Sequence, residues 1–222
     1  MTVHYPFLIF SLLLLWFPRN WLRHGARVTP KPPRRYNVPK PERDPYERTV
    51  HPLEEAAKPR NWVDWGRAAV GAFGVAAVAF TPPEGTLGVH GPTAALQGFV
   101  LVTATLIQMV RIEKRLSLFA PIFFLQGMTF GVAGWLVGLL SMLGSLALTP
   151  VLPGPGAVLF VQGGLVLSLG MLLQKAAPVY LMVLAGAIWL PVLLSVLLKK
   201  RLSASFDKKL KVIPRDTRVE AA

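Results

Sequence analysis

Apolar and polar positions in this 222-residue chain are sorted into long blocks rather than interleaved. The longest block runs from Leu116 to Gln174, 59 residues without one Asp, Glu, Lys, Arg or His. Within it Gly127, Gly131, Gly134, Gly138, Ser141 and Ser145 recur at steps of four, three, four, three and four. On a helix those steps keep six small residues in one narrow stripe. Lipid tails are as apolar as Leu, so helices in a bilayer associate through close backbone approach, which small residues permit. The stripe is expected to be the packing seam of a membrane helix. It serves either a neighbouring span of the same chain or a membrane-protein partner, a second copy included.

Shorter apolar blocks predict the other elements. Val3 to Phe17 is followed at once by Pro18, Arg19, Asn20, Trp21, Leu22 and Arg23. A cleaved leader carries its charge before the apolar run and a small-residue site after it. Here the charge follows and no such site does, so residues 1–22 read as a retained signal-anchor helix. A second span is predicted from Asn61 to about Phe80, with Asn61 as N-cap and Asp64 in the first turn. A third runs from Thr93 to Val110, stopped by Arg111-Ile112-Glu113-Lys114-Arg115. The fourth, Leu118 to Leu148, has 31 residues. Wholly helical, it would be about 46 Å long against roughly 30 Å of hydrocarbon, so it must tilt or begin in the interface. The fifth covers Ala157 to Gln174 and the sixth Pro178 to Leu198.

The expected fold is therefore an all-α integral membrane protein of about six transmembrane helices, five of them bundled in residues 61–198. Residues 23–60 read as a disordered basic, Pro-rich arm, whose composition buries too little apolar surface to offset ordering. Residues 199–222 read as a basic amphipathic tail, with Leu202, Phe206, Leu210 and Ile213 on one helical face. Leu96-Gln97-Gly98 and Val161-Gln162-Gly163 begin two similar stretches, each followed by an Ala-Pro and then a Trp, as a duplicated hairpin would leave them.

Composition agrees with this and adds sidedness. The chain is 53% hydrophobic and 16% charged, with a mean hydropathy of +0.47, on the membrane side of soluble domains. Its 24 Lys and Arg crowd into the flanks of the apolar blocks. The pI of 10.6 thus points to anionic lipid head groups at those flanks rather than to nucleic acid. Basic loops stay cytoplasmic. That rule puts residues 18–67, with twelve basic residues, inside and the N-terminus outside. Arg111, Lys114, Arg115 and Lys175 then also fall inside, but six crossings leave the eight basic residues of the tail outside. Either the tail is an exception to the rule, or one segment, the overlong fourth or the short second, does not fully cross. Six segments are the working expectation.

The residue inventory narrows the chemistry. There is no Cys, hence no thiolate site or thiol nucleophile. His4, His24, His51 and His90 all lie away from span middles, and no carboxylate is expected in a span core. Haem ligation, intramembrane proteolysis and carboxylate-coupled transport all lack candidates. An enzyme, a cofactor and a metal are not expected. Lys175, the one Lys or Arg between Leu116 and Leu198, is the candidate polar contact, set against a plain interfacial residue whose charge reaches to the head groups. Gln97, Gln108, Gln126 and Gln162 either line a polar path or hydrogen-bond between helices. The expected role is a non-enzymatic scaffold or accessory subunit of a membrane complex, multi-pass in a plasma or inner membrane. The alternative is a small transporter or lipid flippase with a polar route near Lys175.

Overall fold

Each predicted apolar block forms helix, but one of them folds back on itself. The computed structural model describes residues 2–18, 58–81, 91–112, 116–149, 151–152, 154–173, 177–200 and 202–203. Most of the arm, Lys175 and nearly all of the tail lie outside the described residues. The helices are α1 (Tyr5–Trp16), α2 (Pro59–Phe73), α3 (Gly91–Met109), α4 (Ile122–Ala133), α5 (Trp135–Leu148), α6 (Pro155–Leu173) and α7 (Pro178–Leu197). Three of them, α3, α6 and α7, are long and apolar enough to cross a membrane.

Local sequence explains the boundaries. Pro6, Pro59 and Pro178 stand in the first turns of α1, α2 and α7, where a missing N–H costs nothing. Because α2 starts at Pro59, Asn61 lies inside the helix and is buried rather than capping it. The expected cap is thereby corrected. Past Phe73, α2 continues as a π-helical turn, Gly74–Val78, in which the Ala79 N–H reaches the Gly74 carbonyl at 2.7 Å.

The predicted 31-residue fourth span is not continuous. Its first residues form a strand, and the helix that follows stops at Gly134 (φ 86°, ψ 167°), a backbone region essentially restricted to glycine. α5 then returns antiparallel to α4. Gly138 lies against Phe130, and the Gln126 amide donates to the Ser145 hydroxyl at 3.2 Å. In a straight helix those two residues would be about 28 Å apart.

Five short strands tie the ends of the bundle. β1 (Thr2–Val3) pairs antiparallel with β2 (Phe80–Thr81). β3 (Val110–Ile112) pairs antiparallel with β4 (Leu116–Phe119), and β4 pairs parallel with β5 (Leu202–Ser203). The contacts between helices give their directions. α1 and α3 are antiparallel to α2, with Leu15 on Gly71 and Ser11 by Gly74, then Gln108 at Arg67 and Gln97 at Val75. α4 is parallel to α2, with Gly127 against Trp65 and Gly131 against Ala69. α7 is antiparallel to α6, with Trp189 on Gly163 and Leu181 on Gly170. One end of the bundle therefore holds Phe17, Lys58, β3, β4, β5, the start of α4, the end of α5 and the start of α6. The opposite end holds β1, β2, the starts of α3 and α7, and the end of α6.

The hairpin arm α4 is the centre. Residues 121–129 are all buried, and among the described α-helices α4 alone has no exposed large apolar side chain. The others present such side chains outward, among them Phe7, Phe99, Trp135, Leu172 and Val196. The two halves of the apparent repeat differ in shape. Trp135 stands exposed at the hairpin turn, whereas Trp189 stacks on Phe160 with ring centroids 5.7 Å apart.

Candidate functional site

Among the described residues, three groups of polar side chains stand out inside the bundle, and the first was not anticipated. α2 carries Asp64 and Arg67 into the interior, with side chains 3% and 8% exposed. One helical turn separates them, and Arg67 Nε donates to Asp64 Oδ1 at 3.1 Å. The guanidinium then fans out over the end of α1. Nη1 donates to the carbonyls of Leu14 and Phe17, and Nη2 donates to Gln108 Oε1 at 2.9 Å. Gln108 in turn donates through Nε2 to the carbonyls of Leu15 (3.0 Å) and Phe17 (2.9 Å). The Phe124 ring of α4 lies 5.3 Å from the guanidinium carbon.

A helix end leaves its last carbonyls without partners and carries partial negative charge. Arg67 and Gln108 supply donors to three carbonyls near the end of α1, and Asp64 balances the arginine's charge. Asp64 is buried from the second turn of α2. Asp64 was read as a residue beside a loop because the helix start was placed at Asn61. The signal was present in the Asp64/Arg67 spacing, which puts both residues on one face.

The second group surrounds the π-helical turn. Widening the turn displaces backbone carbonyls from regular pairing, and Gln97 Nε2 from α3 donates to two of them, Val75 (2.9 Å) and Ala76 (3.1 Å). Gly74 makes room there for Ser11 of α1, since a Cβ would meet the serine hydroxyl.

The third group is in the hairpin and on α6. Ser145 accepts from Gln126 and donates to the Met142 carbonyl at 3.0 Å. Ser141 donates to the Gly138 carbonyl at 3.1 Å. Gln162 of α6 is fully buried, and neither its Nε2 nor its Oε1 has a hydrogen-bond partner. The Oε1 atoms of Gln97 and Gln126 and the Trp65 Nε1 are likewise buried without partners.

The six small residues of the predicted seam do not form one stripe, because the chain turns in their midst. Gly127 and Gly131 face the backbone of α2, where added Cβ atoms would strike the Trp65 and Ala69 carbonyls. Gly134 makes the turn. Gly138 admits Phe130, and Ser141 and Ser145 are buried on α5. Lys175, with Glu84 and His90, lies outside the described residues. Among the described residues no three His, Cys, Asp or Glu side chains come together as a metal would require. No family model, no curated protein and no solved structure matches this chain.

Proposed function

We propose that this chain is a multi-pass protein of a plasma or inner membrane that works without catalysis, as a scaffold or accessory subunit of a membrane complex. The observation that carries the reading is the employment of the buried charges. Asp64 and Arg67, the buried ion pair of the bundle, hold the end of α1 against α2 and α3. A pair engaged in this way is a fastening, not a reactive centre. The outward-facing apolar side chains on six of the helices support immersion in lipid. The clamp also supports retention of α1, since its removal would take away the carbonyls of Leu14, Leu15 and Phe17 to which Arg67 and Gln108 donate. On this reading the basic flanks engage anionic head groups or an acidic partner.

Purification from native membranes in mild detergent tests it. Protein partners recovered in fixed ratio support the scaffold reading. A lone protein holding lipid or solute tightly contradicts it.

One observation favours a second reading, a transporter or flippase with a polar route. Gln162 buries an amide with both polar atoms unpartnered, at a cost of roughly 1–3 kcal/mol for such groups. That cost is expected where a solute completes the hydrogen bonds. Under this reading Gln162→Leu abolishes flux in proteoliposomes while raising stability. Under the scaffold reading it raises stability alone.

A further inference from the structure

The hairpin and the ends of the helices together assign a topology. Along the axis α4 extends about 18 Å and α5 about 21 Å, each short of the roughly 30 Å of hydrocarbon. α4 leaves the end of the bundle that holds β3, β4 and β5, and α5 returns to it. The same sheet fixes where the tail begins. β5 lies beside β4, with the Ala120 N–H donating to the Ser203 carbonyl at 2.7 Å. α1 is short at 12 residues, about 18 Å, but residues 2–4 extend it by about 10 Å. It reaches the opposite end, where β1 pairs with β2.

Connectivity then sorts the charge. Segments 19–57, 113–115 and 204–222 are attached at the β3–β5 end, whereas 82–90 and 174–176 are attached at the opposite end. Of the 24 Lys and Arg, 23 lie at or attach to the first end, and Lys175 alone attaches to the other. A six-crossing chain divides them sixteen to eight. Five crossings and a hairpin that does not cross remove the conflict with the rule that basic segments stay cytoplasmic.

We propose that α4 and α5 form a re-entrant hairpin, that the chain crosses the membrane five times, and that the arm and the tail share one cytoplasmic face turned toward the anionic leaflet. This rests on the membrane reading above. The turn itself, at Gly134 and Trp135, is exposed, whereas residues 121–129 of the arm that leads to it are buried in the bundle.

The absence of native Cys makes the test direct. Single variants Thr49→Cys, Thr86→Cys, Val151→Cys, Ala176→Cys and Thr217→Cys are treated in intact cells with a membrane-impermeant maleimide, then again after permeabilisation. The proposal predicts external labelling at Thr86→Cys and Ala176→Cys only, with the other three labelled after permeabilisation. Labelling of Val151→Cys and Thr217→Cys from outside, with Ala176→Cys protected, means six crossings and overturns the hairpin assignment. The mirror pattern, with Thr49→Cys, Val151→Cys and Thr217→Cys outside, keeps the fold-back and overturns the cytoplasmic assignment. Labelling of a further variant at the turn, Trp135→Cys, from the side opposite Val151→Cys means that α4 and α5 both cross and overturns the re-entrant assignment. Alkaline carbonate extraction of the unsubstituted protein is run in parallel. Release from the membrane pellet refutes the membrane reading itself, independently of the labelling pattern.

Discussion

The side-chain amide of Gln126 donates to the hydroxyl of Ser145 at 3.2 Å, although nineteen residues separate them. That bond joins the arms of a hairpin built from the longest stretch of the chain without a charged residue. The element expected as one continuous span thus folds back on itself at Gly134. Hydrogen bonds of this kind between membrane helices contribute about 0.6 kcal/mol on average and up to about 1.7 kcal/mol. Ser145→Ala is therefore expected to destabilise by that modest amount, read from detergent-driven unfolding in mixed micelles.

The clamp on α1 is expected to matter more. Arg67→Met removes the guanidinium from beside buried Asp64, and breaking one side of a buried pair costs about 3–5 kcal/mol. The double variant Asp64→Leu/Arg67→Met should lose less than the sum of the two single variants, because both charges leave the interior together. Arg67→Lys keeps the charge but not the planar fork that reaches Asp64, Gln108 and two carbonyls at once. It should fall between Arg67→Met and the unsubstituted protein in the same unfolding assay.

The glycines separate close approach from open space. Gly127→Val drives a side chain into the Trp65 carbonyl, a backbone atom that cannot swing aside, and overpacking of this kind costs about 1–3 kcal/mol. Gly134→Ala forces a Cβ into a glycine-only conformation at a cost of about 1–3 kcal/mol. Gly164 and Gly186 meet nothing within 4 Å. Replacing either with Ala should instead stabilise its helix by about 0.5–1 kcal/mol. Midpoints of thermal unfolding in one detergent rank all four.

The positions of the helices were legible in the sequence because apolar blocks of membrane length have few alternatives and proline marks their starts. The strands were not, since two- or three-residue pairings leave no periodic signal and depend on which helix ends meet. The fold-back at Gly134 was hidden by the regular spacing of its neighbours. Six small residues at steps of three and four look the same whether the helix continues or turns, and what distinguishes them is one backbone angle. The conflict in basic charge was the one trace the turn left in the sequence. Asp64 was expected in the first turn of the second span and Arg67 among its basic flank, and the burial of the pair beside the end of α1 depends on contacts that only the fold brings together.

The central claim is that the chain reverses at Gly134, and the pair Phe130→Cys/Gly138→Cys tests it in a protein with no other thiol. A Cβ at position 138 lies 3.0 Å from the Phe130 Cα, within reach of a disulfide. In a continuous helix the two positions are about 12 Å apart, beyond it. Mild oxidation of membranes followed by mass measurement of the intact chain reads the outcome. The hairpin predicts an intramolecular disulfide, with the loss of two hydrogens and of both reactive thiols. Two thiols that stay free and alkylatable after unfolding would contradict it.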